Sequence, residues 1–290
     1  MNIVAAVVVT YNRKAILAKC IEKLQAQTKE LDILIIDNAS TDGTASLFDK
    51  RINNINYYNT GRNLGGAGGF SFGIKKAVEL GYKYLWILDD DTLPTPTALE
   101  KLLKKDEELN GEYGFLSSKV LWKDESICTM NIQKVTKWRQ LKKFDDESTI
   151  QYASFVSLFM KAMTVRKVGL PYKDFFIWAD DWEYTRRISK TEKCYFVPES
   201  IVHHWCNSNV GANIITAEAD RMDRFKYMYR NDVVMYRQDG FEGWLYLTIR
   251  NIVHRIRIIT KSTNKFEKLA LISESNKEGK VFFPKIDFPE

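Results

Sequence analysis

Four short apolar runs, "IVAAVVV" (3–9), "DILIID" (32–37), "INYYN" (55–59) and "YLWIL" (84–88), recur early in the chain with room for a helix between each pair. This alternation constrains the fold more than any other feature. A run that is apolar at consecutive positions, rather than at every second one, has to be covered on both faces. The spacer after the first run, Lys14 to about Gln27, sets Ile16, Leu17, Cys20, Ile21 and Leu24 on one side of a helix. Ser40 or Thr41 can cap a helix after the second run. Further helices are expected near 70–80 and from about Thr97. Strands alternating with helices wind as parallel units with right-handed crossovers, so the expected class is α/β, an open sheet flanked by helices.

Ligands in such sheets bind at the carboxyl ends of the strands. Each unusual motif of this half falls at one of those ends: "TYNR", "DNASTDGT", "GRNLGGAGG" and "DDD", in that order. The coincidence predicts a nucleotide site. Further on, "GFLSSKVLW" (114–122) and "YASFVSLFMK" (152–161) read as strands around a charged loop near 142–149, and from about residue 217 the pattern turns helical. We therefore expect one unit at 1–215 and a helical extension at 216–290. Within the extension, "FEGWLYLTIRNIVHRIRIITK" sets Leu245, Ile249, Ile252, Ile256 and Ile259 in an apolar stripe, with Arg250, His254, Arg257 and Lys261 on another face. A basic amphipathic helix at 243–261 suits an anionic membrane surface. Packing of the isoleucines on the rest of the chain or on a second copy is the alternative.

At 290 residues, 45% hydrophobic, the chain has ample material for a core,. No apolar run reaches the roughly 18 residues that span a bilayer. The opening "MNIVAAVVVTYNR" shows no basic leader, and its apolar run is too short for a signal peptide, which predicts a cytoplasmic protein,. Cys20, Cys128, Cys194 and Cys206 are scattered without CxxC spacing and read as free thiols rather than a disulfide frame or a zinc site,. The net charge of +6 suits anionic substrates or a phospholipid surface without selecting either,. Dispersed basic residues and the absence of a recognition motif exclude nucleic acid as the expected partner.

Three adjacent carboxylates, Asp89, Asp90 and Asp91, repel one another and call for a cation. Alternate residues, Asp89 and Asp91, can reach one Mg²⁺ or Mn²⁺; a solvated acidic loop is the plain alternative. "DDDTL" superficially resembles the haloacid-dehalogenase phosphatase motif, but Leu88 stands where its nucleophilic aspartate belongs, which excludes that chemistry. The five glycines of "GRNLGGAGGF" (61–70) would let backbone approach a phosphate,. No GK[ST] follows, so this is no P-loop, and a merely flexible loop would read the same. "FFIWADDWEYTRR" (175–187) groups Asp180, Asp181 and Glu183 around Trp178 and Trp182. Carboxylates among aromatics have raised pKa values, which suits a general base, and tryptophan suits a sugar face. The same acids also suit a helix N-terminus paired to Arg186 and Arg187. In "PESIVHHWC" (198–206), one of His203 and His204 is a candidate metal ligand and the other a structural neighbour, with Cys206 a bystander,.

Taken in order, "VVVTYNR", "LIIDNASTDGT", "GRNLGGAGGFSFGIKKA", "YLWILDDDT", "VGLPYKDFFIWADDWEYTRR" and "VHHW" resemble the inverting glycosyltransferases of family 2 over roughly residues 3–210,. The resemblance implies the GT-A fold, a Rossmann-like mixed sheet. "NLGGAGGF" followed by DDD is most similar to bacterial galactofuranosyltransferases and their rhamnosyltransferase relatives, and "RFKYMYRNDVVMY" (224–236) is similar to their C-terminal helix. It implies that Thr10, Tyr11 and Asn12 line a nucleotide pocket, that Asp37 holds the uracil or ribose, and that Arg62, Asn63, Gly65, Gly66, Asp89 and Asp90 lie along the donor. Asp89 and Asp91 would hold Mn²⁺ or Mg²⁺ with His204, or else with His203. Asp181 would be the base, with Trp178, Asp180 and Trp182 around the acceptor. The implied donor is UDP-galactofuranose, with dTDP-rhamnose as the alternative, and the implied acceptor a lipid-linked glycan of bacterial surface polysaccharide synthesis. A non-catalytic sugar-nucleotide-binding module is the rival class. The polymerases among these relatives carry an extra N-terminal β-domain, whereas this chain opens at the first strand, which implies addition of one sugar.

Overall fold

Consecutive β-branched residues make Val4–Thr10 a strand, β1, and every one of its residues is buried. The computed structural model describes residues 2–49, 53–218 and 221–290. After β1 come α1 (Lys14–Gln25), β2 (Asp32–Asp37), β3 (Ile55–Asn59), α2 (Gly65–Glu79), β4 (Tyr84–Asp89), β5 (Thr92–Pro94), α3 (Ala98–Glu108) and β6 (Phe115–Leu121). The second half holds β7 (Lys134–Thr136), β8 (Arg139–Gln140), β9 (Ser148–Thr149), β10 (Leu158–Lys161), α4 (Ala162–Val168), α5 (Asp180–Ser189), β11 (Tyr195–His204), α6 (Met222–Arg237), α7 (Gly240–Lys261) and α8 (Lys265–Val281).

Among the described residues, nine strands form one mixed sheet in the order β3-β2-β1-β4-β10-β6-β11-β5, with β9 pairing β11. The strands from β3 to β4 run parallel, as the alternation predicts, and β10 runs antiparallel to both β4 and β6. Both faces are covered. Val4, Ala6, Val8, Ile33, Ile35, Trp86 and Leu88 pack with α1 and α3, while Ala5, Val7, Leu34, Ile36, Leu85 and Ile87 pack with α2 and α4. That explains why these strands read as unbroken apolar runs.

Three local expectations change. Among the described residues no α-helix lies between β2 and β3; a 3-10 turn at Thr44–Phe48 follows β2 instead. Ser40 instead accepts a hydrogen bond from the Asn12 N–H at 2.8 Å, and Asp42 accepts one from Lys14 N–H at 2.9 Å, so this loop ties down the start of α1. The strand expected over 152–161 shrinks to Leu158–Lys161, because Ser157 is left-handed at φ +64°. Most of the glycine run also lies in α2 rather than in a loop. A Cβ on Gly69 would stand 2.6 Å from Val9 Cγ1, and one on Gly73 2.6 Å from Val7 Cγ1. These glycines let the helix backbone settle onto β1.

At the C-terminal end, Phe225 and Tyr229 of α6 bury against Ile258 of α7 and Leu271 and Ile272 of α8. The basic face of α7 does not turn outward as a unit. Arg250 is paired with Asp232, and Tyr229 donates to His254 Nδ1 at 2.7 Å. It is the apolar stripe of Leu245, Ile249, Ile252, Ile256 and Ile259 that faces out, together with Arg257 and Lys261. Among the described residues, no helix is long and apolar enough to cross a membrane.

Candidate active site

Strand register assembles the acidic corner. Thr10 lies beside Asp37 and Val9 beside Asp89, so the carboxyl ends of β1, β2 and β4 come level. On the far side, β11 pairs antiparallel with β5 and sets His204 against Thr92, next to Asp91. Successive side chains of a strand point to opposite faces, and the two histidines separate accordingly. His204 Nε2 stands 3.2 Å from Asp91 Oδ1, whereas His203 Nε2 turns to Glu125 at 2.9 Å.

The three aspartates differ in their partners. Asp90 accepts from Thr10 Oγ1 at 2.7 Å and from Arg13 Nη1 at 2.9 Å, while the other arm of the Arg13 fork reaches Asp91 Oδ2 at 2.7 Å. Burial pushes Asp90 up to about 7 against the pull of Arg13. Burial and the charge of Asp91 raise Asp89 to about 6. Burial also acts on Asp91, yet His204 and Arg13 hold it down at about 2. Burial lowers the His204 imidazolium, but the Asp91 carboxylate beside it lifts it further, to about 12.

Donor atoms of Asp89, Asp91 and His204 all lie within 4.8 Å of one another. Asp91 Oδ1 is buried and accepts no hydrogen bond among the described residues. Two carboxylates, one imidazole and an unsatisfied oxygen fit a divalent cation.

Two cavities meet at this corner. One, of about 820 Å³, is lined by Thr10, Tyr11, Asn63, Gly65, Gly66 and Asp180 among others. The second, of about 780 Å³, is lined by Lys134, Trp182, Asp232, Tyr236 and Arg250 among others. Asp89, Asp91, Trp178, Asp181 and His204 border both. Asn12, Asp37 and Arg62 line neither. Asp37 is buried with its carboxylate accepting from Tyr57 O–H at 2.6 Å and Ser40 N–H at 2.8 Å, and Asn12 Oδ1 accepts from Thr41 N–H at 2.7 Å.

Asp180 and Asp181 open α5. Glu183, the third acid of that group, turns away to pair with Arg187 at 2.9 Å. Burial raises Asp180 to about 7, and burial with the adjacent Asp180 charge raises Asp181 well above the carboxylate range. The segment that delivers them is strained, with Phe176, Trp178 and Ala179 left-handed at φ +63°, +64° and +66°,. Asn231 braces it: its amide donates to the carbonyls of Phe175, Ile177 and Trp178 at 3.0, 3.2 and 2.9 Å. Sequence reasoning missed Asn231, Lys134 and Arg13. The arginine stands inside "TYNR" and offers the nearest fixed charge to an acidic triplet. The other two carry no local signal, because their partners are distant in the chain.

Residues 5–119 match the family model described as Glycosyl transferase family 2. Over that stretch, from β1 to β6, the chain is similar to family 2 glycosyltransferases. It is 25% identical to a galactofuranosyltransferase, GlfT1, of Mycolicibacterium smegmatis, over 88% of this chain and 93% of that protein. Among solved structures, S. aureus TarS superposes with a TM-score of 0.59 at 13% identity over 96% of this chain, which spans 44% of the length of that one. GalNAc-T7 with UDP, GalNAc and Mn²⁺ superposes with a TM-score of 0.63 at 13% identity over 93% of this chain and 56% of that one. The fold of this glycosyltransferase is GT-A, with the acidic corner at the carboxyl ends of its parallel strands.

Proposed function

We propose that the enzyme transfers galactofuranose from UDP-galactofuranose, with inversion, to a hydroxyl of a lipid-linked glycan in surface polysaccharide synthesis. The observation that carries this reading is the meeting of two chambers at Asp89, Asp91, His204 and Asp181, which gives leaving group and nucleophile separate places around one reacting carbon. Thr10, Tyr11, Asn63, Gly65 and Gly66 receive the nucleotide and its diphosphate; Gly66, where an added Cβ would meet nothing within 4 Å, leaves its backbone open to the donor. Asn12, Asp37 and Arg62 act from behind, by shaping the loops around that chamber. A divalent cation held by Asp89, Asp91 and His204, Mn²⁺ in preference to Mg²⁺ because one donor is an imidazole, supplies Lewis-acid neutralisation of the charge left on the diphosphate.

Asp181 takes the proton of the acceptor hydroxyl. Burial and the Asp180 charge raise its pKa, which makes it a stronger base than an ordinary exposed carboxylate,. Trp178 and Trp182 offer sugar-binding faces, and Asp180 keeps Asp181 basic. Support for the donor comes from the relative's name and its coverage, and support for UDP and Mn²⁺ from the ligands named with GalNAc-T7. We take 1–215 as the catalytic unit and 216–290 as an extension that braces it, with the apolar outer row of α7 resting on the cytoplasmic face of the membrane where the lipid-linked acceptor waits.

A donor panel tests the proposal. With Mn²⁺ and an acceptor extract, UDP-galactofuranose should release UDP, while UDP-galactopyranose, UDP-glucose and dTDP-rhamnose stay near background. Asp181→Asn should cut release by about 10²–10⁴-fold and keep donor binding. Preference for the thymidine donor, or release by Asp181→Asn at the wild-type rate, would overturn it.

A further inference from the structure

The cysteines do not form a spacing motif, yet the fold brings two of them to the second nitrogen of His204. After β6 the chain folds back so that Cys128 N–H donates to the Val120 carbonyl at 2.9 Å, and Cys206 lies just beyond β11; β6 and β11 pair in parallel, so both cysteines reach the same end of the sheet. The Sγ atoms of Cys128 and Cys206 and a ring nitrogen of His204 all lie within 4.8 Å of one another. Cys128 Sγ is 3.7 Å from His204 Nδ1. A tetrahedral ion with zinc-like bonds of about 2.3 Å to sulfur and 2.0 Å to nitrogen separates those atoms by roughly 3.5 Å. Asn131 Oδ1 completes the group, accepting from His204 Nδ1–H at 2.7 Å and from the Cys128 thiol at 3.0 Å. Its amide nitrogen donates to Ser154 Oγ at 2.9 Å, which fixes the oxygen toward the ring. Asn131, His204 and Cys206 line the second chamber, so an ion has a way in.

We propose that Cys128, Cys206 and His204 Nδ1 form a second metal site, selective for a thiophilic cation such as Zn²⁺ and mutually exclusive with the cation held through His204 Nε2. The exclusion follows from the ring. Hydrogen bonding of Nδ1–H to Asn131 leaves Nε2 as the nitrogen whose lone pair can face Asp89 and Asp91. An ion entering the thiolate site displaces the two thiol protons and the Nδ1 proton. The neutral ring then keeps its remaining proton on Nε2, aimed at Asp91 Oδ1 3.2 Å away. A protonated nitrogen cannot be a ligand, so Zn²⁺ in the soft site disables the hard one and acts as an inhibitor. The inhibitory consequence rests on the proposed function; the existence of the site does not.

Cobalt titration of the full chain tests the site directly, because a thiolate bound to Co²⁺ gives a charge-transfer absorption that carboxylate and imidazole ligands lack. One such ion per chain is expected. Loss of an outer-shell partner alone weakens metal binding by about 10–100-fold, so Cys206→Ser and Cys128→Ser should weaken it at least as much and erase the band. Cys206 is only half-buried, so Cys206→Ser should melt like the wild type, and whatever Mn²⁺-dependent UDP release it shows should no longer be inhibited by Zn²⁺. Prior loading with Mn²⁺ and UDP should weaken Co²⁺ binding to the wild type. A wild type without the thiolate band, a band that survives in Cys206→Ser, or Co²⁺ affinity indifferent to Mn²⁺ and UDP would each overturn the proposal. A wild type that shows the band but releases no UDP would refute the functional reading and leave the site standing.

Discussion

In the proposed mechanism Asp181 and Asp180 occupy adjacent positions with different tasks. Burial lifts both above the carboxylate range; the Asp180 charge adds to the rise of Asp181, while the charges of Asp89 and Glu183 add to that of Asp180, which reaches about 7. A base works only when ionised, so a raised pKa means activity is lost as pH falls through a range well above the ordinary value of about 4. We predict an acid limb of kcat/KM well above that ordinary carboxylate value. Asp180→Asn removes the neighbouring charge and should move that limb to lower pH. Profiles measured from about pH 5 to 9 check both statements; a limb near 4 in the wild type contradicts them. Asp181→Asn should cost about 10²–10⁴ in kcat, the usual span for loss of a general base. The triplet itself was only half legible. Sequence spacing pairs Asp89 with Asp91, but that Asp90 is spent on Thr10 and Arg13 depends on a fork reaching back across β1.

Between β10 and α6 the structure holds its site through backbone strain that one amide supports. Asn231→Leu keeps roughly the same volume and leaves the carbonyls of Ile177 and Trp178 without their donor, while Phe175 keeps Arg230 Nη2 at 3.3 Å. Unsatisfied buried carbonyls cost about 1–3 kcal/mol each, so thermal or denaturant unfolding should show a loss of about 2–6 kcal/mol, and kcat should fall because Trp178 and Asp181 lose their fixed setting. Unchanged stability would show that the loop supports itself. Elements with strong periodicity, β1, β2, β4 and α1, were legible in the sequence because local pattern and burial agree. The glycine run was not, since glycine signals close approach without saying to what: a phosphate fits the sequence, and Val9 and Val7 fit the fold. Gly69→Ala tests the packing role and should cost about 1–3 kcal/mol by overpacking, with donor affinity nearly unchanged if the helix recovers its place.

At the scale of the whole molecule, α6 ties the C-terminal helices to the candidate site, its Asn231 donating to the carbonyls of the segment that leads into Asp180 and Asp181. His254 of α7 is half-buried, and this desolvation together with the charges of Arg250 and Arg257 lowers it to about 4. Its unfolded value is about 6.5, so the unfolded chain gains a proton the folded one refuses. Stability should therefore fall as pH drops from about 6.5 toward 4, with a slope approaching 1.4 kcal/mol per unit. Replacing His254 by Asn should flatten that slope in unfolding experiments; an equally steep variant would contradict the assignment. The outward row of Leu245, Ile249, Ile252, Ile256 and Ile259 predicts that vesicle sedimentation depends chiefly on apolar contact, so Ile252→Ser with Ile256→Ser should reduce it. The reversal of this helix was illegible in its sequence, where a charged face reads as solvated until Asp232 and Tyr229 are found beneath it. All of this surrounds one claim, that β1, β2, β4, β5 and β11 converge to hold a cation at the junction of two chambers. Anomalous diffraction from crystals soaked with Mn²⁺ and UDP measures it most directly. The account predicts a single manganese peak bonded to Asp89, Asp91 and His204 Nε2 and touching the diphosphate; a peak elsewhere, or UDP bound with no metal beside those residues, would contradict it.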